Sequence, residues 1–473
     1  MLFNSIAFLF FAFIFTTIYF YLRGQYRLLW ILLCSYVFYG WWDYRFLILI
    51  AFSTAVDFFI AQYLHRESTV RKRRLLLVVS VCTNLAVLGF FKYCNFFIDS
   101  FSLILIHVFG ENTHLQTLDI ILPVGISFYT FQSMSYTIDV YRNKILPEKN
   151  AIMFASYIAF FPQLVAGPIV RARQLLPQFH QDQKFNWNQF TLGFAQVLVG
   201  YFKKIVVADS LVIVIDQVFT APNNFNALNI TLGVVLYSFQ IYCDFSGYSD
   251  IAIGFARMLG FEFPVNFRMP YFSRNFSEFW TRWHISLSSW LRDYVYIPLG
   301  GNRNGRINTY KNLLITMLLG GLWHGANWKF VFWGFLHGLY LILQRMASPL
   351  YQRVNRYLPH IVQIALAMTT TYILTCAAWI FFRSESFTKA LEIFHLIFTG
   401  DWSLHNLKNK FPLVKSIFVI LLLLTCEIAH CKWNFTNVIL HHPRLRIFIF
   451  ATILWTIALL GTFNETAFIY FQF

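Results

Sequence analysis

Charge is scarce in this sequence. Only 12% of its 473 residues are charged and 58% are hydrophobic, whereas a soluble domain carries about 25% charged residues. A chain of this size with so little charge cannot cover itself with an aqueous surface, so lipid must be its solvent. Cysteine is sparse too. The seven cysteines, among them Cys34, Cys82, Cys94, Cys243 and Cys376, fall mostly inside apolar runs and form no Cys-x-x-Cys pair, which argues for packing and against disulfides or a thiolate metal centre. Also missing are a Gly-x-Ser-x-Gly elbow, a P-loop, a His-Glu-x-x-His zinc motif and the His-then-Asp box of soluble acyltransferases. No metal is expected, and any catalysis falls to histidine within the membrane. The absence of a fixed-period repeat disfavours a transporter built from inverted halves.

What the sequence does have is long apolar runs, near 1–22, 27–42, 46–64, 75–98, 150–166, 189–219, 229–260, 311–347, 360–382, 411–430 and 446–463. A spanning helix needs about 20 mostly apolar residues. The runs predict an all-α polytopic membrane protein, a single membrane domain over 1–473 with roughly 10–13 crossings plus re-entrant and interfacial helices. The first run has no basic leading region and no small-residue cleavage site, so it is expected to stay in the mature protein. The net charge of +16 is spread between apolar runs, which suits anionic lipid and not nucleic acid. Arg71-Lys72-Arg73-Arg74 marks a cytoplasmic loop, and counting back three short spans puts the N-terminus outside.

The longest polar stretch, 262–311, carries Arg268, Arg274, Arg282, Arg292, Arg303, Arg306 and Lys311 against only Glu278 and Asp293. That surplus fits either ordinary positive-inside loop charge or a phosphorylated ligand approached from the cytosol. Within it, Phe276, Trp280, Trp283, Leu287, Trp290 and Leu291 recur at three or four residues, which predicts one helix with an aromatic stripe. His284 lies at the edge of that stripe, facing protein or bilayer, and Arg282 points away. Asp244 and Asp250 lie inside a hydrophobic run and must have partners, either holding helices together through Arg or Tyr or lining a substrate path.

One histidine stands apart. His324 lies in Gly320-Gly321-Leu322-Trp323-His324-Gly325-Ala326-Asn327-Trp328, with apolar sequence on both sides. An imidazole at membrane depth is costly, and the glycines are expected to loosen the helix around it. His324 with His284 suits proton transfer better than metal binding. His337, 13 positions further on, is expected on the far side of the same helix in a structural role.

The blocks Gln163-Leu164-Val165-Ala166-Gly167-Pro168-Ile169-Val170-Arg171, Asn266-Phe267-Arg268-Met269-Pro270-Tyr271, Phe279-Trp280-Thr281-Arg282-Trp283-His284-Ile285-Ser286-Leu287 and Gly321-Leu322-Trp323-His324-Gly325 resemble the membrane-bound O-acyltransferase family. The likeness is strongest to its bacterial branch, the membrane subunits of alginate O-acetylation and teichoic-acid D-alanylation. The resemblance implies a catalytic His324, with His284 as second motif histidine. It also implies an aromatic tail over 468–473 whose Tyr470 relays the acyl group, although such a tail also suits an interfacial anchor. The expected donor is cytosolic acetyl-CoA, its nucleotide end held by Arg268, Arg282, Arg292 and Arg303. His324 acts as general base or takes the acyl group itself. The expected route leads through an SGNH-type transferase outside the bacterial cytoplasmic membrane to an alginate-like polymer, peptidoglycan or another exopolysaccharide. D-alanyl transfer, or a flippase of polyprenyl-linked sugar, are the alternatives.

Overall fold

A computed structural model describes residues 1–110, 115–403, 410–433 and 435–463, and every regular element among them is helical. Helix is the form in which an apolar segment closes its own backbone hydrogen bonds without water. Seven helices are long and apolar enough to cross a membrane: Tyr44–Arg66, Val70–Phe109, Ala227–Met258, Trp328–Tyr351, His360–Arg383, Pro412–His430 and Pro443–Leu460. Large apolar side chains such as Phe13, Ile48, Phe59, Phe448 and Trp455 are exposed on the helix surfaces, as lipid contact requires. The protein is a polytopic all-α membrane protein.

Contacts divide the chain into two compact units. One comprises Met1–Gly193 with Ala252–Pro264, the other Phe194–Ile251 with Val265–Phe473.

Three expected elements differ from the outcome. The run 150–166 is two short helices, Ala151–Ala159 and Phe161–Leu164; the first is capped by Asn150, whose side chain accepts from the Ile152 and Met153 amides, and the second begins with a proline in its first turn. The run 311–347 is a hairpin of two helices, Gly305–His324 and Trp328–Asn355. The aromatic helix over 276–291 is also two, Phe276–Arg282 and Ile285–Leu291.

Some helices lie outside every apolar run, Ile126–Tyr141 and Phe387–Thr399 among them. Ile126–Tyr141 is buried around nearly its whole circumference. Its hydroxyl-rich sequence (Ser127, Thr130, Ser133, Ser135, Thr137) lowers its apolarity, and that is tolerable because it meets protein instead of lipid.

Candidate active site

The hairpin brings His324 into position. The first helix ends at His324, and Gly325 continues in extended backbone. Asn327 starts the return helix, its side-chain oxygen accepting the Lys329 amide at 3.0 Å. The glycines do not loosen the helix, which runs unbroken through Gly320 and Gly321. They allow close packing. A Cβ at Gly334 would stand 3.1 Å from the Gly321 Cα, a Cβ at Gly321 would run into the Phe330 carbonyl, and one at Gly338 would lie 3.0 Å from Leu314. Small residues at such crossings let membrane helices approach backbone to backbone.

His324 is 2% exposed. Its ring meets Trp323 at 5.1 Å, Trp333 at 4.9 Å and Phe382 at 5.4 Å, each close to edge-on. Trp379 stacks on Trp333 at 5.5 Å. The far face of Trp333 does not end the cluster, because His337 lies 4.7 Å from it. The expectation that His337 is remote from His324 fails because the two belong to different helices. They are neighbours through one indole.

His284 is held by a turn that hydrophobic periodicity does not reveal. Its φ of +42° lies in the left-handed region, uncommon for a residue with a side chain, and breaks the aromatic helix in two. The ring compensates locally, since Nδ1 accepts the Leu287 amide at 3.3 Å and caps the Ile285–Leu291 helix. Asn266 fixes the turn from the facing segment. Its backbone oxygen accepts the Ile285 amide at 2.9 Å, and its side-chain oxygen accepts the Ser286 hydroxyl at 2.9 Å and amide at 3.2 Å. Arg268 donates its amide to the Arg282 carbonyl beside it. His284 meets Phe245 at 4.6 Å and Trp323 at 5.6 Å. Trp323 therefore touches both motif histidines, and the structure brings His284 and His324 into one aromatic cluster.

Asp244 and Asp250 pair with lysines, not with the arginine or tyrosine expected. Lys204 lies 2.7 Å from Asp244 and 2.9 Å from Asp209, all three buried, and Lys203 lies 2.9 Å from Asp250. Both lysines project from a π-helical segment, Phe202–Ala208. Among the described residues, no three His, Cys, Asp or Glu side chains converge as a metal-ligand group.

The four arginines divide into two kinds. Arg282 is bound to Glu278 at 2.6 Å and Arg292 to Asp293 at 2.8 Å. Arg268, Arg292 and Arg303 are exposed and Arg282 is half-buried, so it is the carboxylate partner that separates the two kinds. Tyr470 and the rest of the 468–473 tail lie outside the described residues.

Residues 144–382, which contain both histidines and their cluster, match the membrane-bound O-acyltransferase family. The chain is 44% identical to the probable alginate O-acetylase AlgI of Pseudomonas putida over 415 residues, 86% of this chain and 83% of that protein. The chain belongs to the membrane-bound O-acyltransferase family. It is also 37% identical to the peptidoglycan O-acetyltransferase of Helicobacter pylori over 391 residues, 77% of this chain and 72% of that one. A teichoic acid D-alanyltransferase of Streptococcus thermophilus is more distant, 30% identical over 272 residues, 53% of this chain and 63% of that one. Family membership makes this protein an enzyme that transfers acyl groups, and sets aside the flippase reading.

Several residues around the histidine cluster escape sequence reading. Asn266 and Trp333 stand out. Asn266 lies in a block that carries the family resemblance, and its hold on the His284 turn depends on a contact 20 residues away in sequence. Trp333 was readable only once the hairpin was known.

Burial pushes the His284 imidazole down from 6.5 to about 3. The folded O-acyltransferase keeps this ring neutral where the unfolded chain protonates it. The resulting stability is fully present above pH 6.5 and is lost as pH falls toward about 3, by up to about 1.4 kcal/mol per pH unit. Asparagine caps helices and tolerates the left-handed region. His284→Asn is therefore expected to fold and to lose this part of the acid slope, measured as the wild-type-minus-variant difference in unfolding free energy across pH.

Proposed function

We propose that this enzyme moves an acetyl group from cytosolic acetyl-CoA toward an extracytoplasmic hydroxyl, for O-acetylation of a cell-surface or exo-polysaccharide of the alginate or peptidoglycan kind. The observation that carries this reading is His324, a buried imidazole at the tip of a helical hairpin within an aromatic cluster. Alginate O-acetylase and peptidoglycan O-acetyltransferase relatives support the acyl group and acceptor class; the D-alanyl alternative has only the more distant relatives.

The chemistry follows from what can enter lipid. CoA phosphates stay in the cytosol and the thioester alone reaches inward. Arg268 and Arg303, exposed and without a carboxylate partner among the described residues, are better placed to receive phosphate than Arg282 and Arg292, whose guanidinium groups are already engaged. His324 accepts the proton of the attacking hydroxyl as its oxygen bonds to the thioester carbonyl carbon. The tetrahedral intermediate collapses, the C–S bond breaks, and the imidazolium returns the proton to the leaving CoA sulfur. The Trp333 indole N–H, buried and without a hydrogen-bond partner among the described residues, is the oxyanion donor in this scheme.

In this reading the enzyme sits in the bacterial cytoplasmic membrane with its N-terminus outside, and an SGNH-type transferase receives the acetyl group for the polymer. Tyr470 is the proposed relay. After incubation with acetyl-CoA, intact-mass and peptide analysis should find one acetyl group on the terminal peptide, absent in Tyr470→Phe. A label that persists in that variant removes Tyr470 from the route.

A further inference from the structure

Asp57 sits mid-helix in the Tyr44–Arg66 span and is fully buried. Its carboxylate accepts from Ser80 Oγ at 2.5 Å, from Asn84 Nδ2 at 2.8 Å and from the Ser133 hydroxyl. Ser53 donates to Asn84 Oδ1 at 2.6 Å. These side chains come from three helices, Leu47–Arg66, Val70–Leu88 and Ile126–Tyr141. Among the described residues, no lysine, arginine or histidine pairs with Asp57. Neutral donors solvate a buried carboxylate without cancelling its charge, which leaves a proton or a bound cation to neutralise it.

Two threonines add an independent observation. Helical threonines in this protein ordinarily donate to the carbonyl four residues back, as Thr17, Thr231, Thr309, Thr371 and Thr452 do. Thr54 and Thr137 do not. Both are more than nine-tenths buried; the Thr54 hydroxyl has no hydrogen-bond partner among the described residues, and the Thr137 hydroxyl is turned to the Asp57 carboxylate. Thr54 lies one helical turn before Asp57 on the same helix, and Thr137 lies one turn after Ser133. Two hydroxyls that forgo the usual carbonyl flank a carboxylate that lacks a cation.

We propose that these groups form a binding site for a sodium-sized monovalent cation. The donor set is all oxygen, which suits a hard cation. Its single negative charge suits a monovalent ion, since divalent sites gather more carboxylates. The serine hydroxyls can donate to Asp57 and still offer lone pairs to the ion. A bound ion would tie the three helices together at the Asp57 level. This site is independent of the acyl-transfer reading.

The test uses the purified full-length chain in detergent, with radiolabelled sodium binding and thermal unfolding as choline chloride is replaced by sodium chloride at constant ionic strength. Wild type is expected to bind sodium saturably and to rise in Tm with it, as a ligand that binds only the folded state requires. Asp57→Asn should bind none. Because that variant disturbs three hydrogen bonds and can fail to fold, Thr54→Val and Thr137→Val are the companion tests. Thr54→Val removes a hydroxyl without a partner, so its Tm in choline should stay unchanged, and in both variants sodium affinity should fall roughly tenfold, one lost oxygen contact. The proposal is overturned if wild type shows no saturable binding, or if both valine variants bind as wild type does. It is equally overturned if acidification without sodium gives the full Tm rise, which assigns the site to a proton.

Discussion

His324→Ala is expected to lower acyl transfer by a factor between about 10² and 10⁴, the range that a positioned general base supplies. Binding and hydroxyl positioning survive, so the loss should appear in kcat with little change in KM for acetyl-CoA. The mechanism locates the loss in the chemical step because the imidazole, ringed by Trp323, Trp333 and Phe382, is the proposed base. The measurement is CoA release by purified enzyme with a hydroxyl acceptor, alongside its unfolding curve. Equal CoA release by folded wild type and variant would remove His324 from the reaction. His284→Asn separates the second histidine's two roles. It keeps the cap and the turn, so activity lost there reports on the ring itself.

The largest stability effect is expected at Lys204, 101 residues before the hairpin begins at Gly305. Its ammonium is buried between Asp209 and Asp244. Lys204→Met removes the cation and leaves two buried carboxylates facing each other across its place, a change that costs about 3–5 kcal/mol in comparable buried networks. Removing the charges together should cost far less. The triple variant Lys204→Met, Asp209→Asn, Asp244→Asn is expected to regain most of the loss, because the penalty comes from uncompensated charge more than from the missing contacts. Thermal unfolding in one detergent compares the three. A single variant as stable as wild type would mean that solvent reaches the triad.

Much of the site was legible in the residues. His324 announced itself by cost, since an imidazole inside an apolar run needs a reason, and His284 by its place among tryptophans. What stayed hidden was the geometry between them. Trp280, Trp283, Leu287 and Trp290 keep a helical spacing on both sides of His284, so a single left-handed residue leaves no mark on the hydrophobic pattern. The hairpin was available from arithmetic alone. A run of 37 residues, 311–347, is about 55 Å of helix at 1.5 Å per residue, nearly twice a hydrocarbon core.

Two further misses share one cause, that burial in protein follows different rules from burial in lipid. Ile126–Tyr141 is too rich in hydroxyls to read as a span, yet a buried hydroxyl such as that of Ser133 is met by a neighbouring helix. Lys203 and Lys204 interrupt an apolar run, and the same pair answers the question of what faces Asp250 and Asp244. Polar residues inside a hydrophobic run were each other's explanation.

The contact of Gly321 with Gly334 sets a tolerance for the enzyme's future variation. With no room for even one methyl group, the spacing between the two arms of the hairpin is a fixed gauge, and His324 at its tip inherits that rigidity. Variation close to the imidazole is then left to the rings that touch it, Trp333 and Phe382, while the two glycines keep the imidazole at one address.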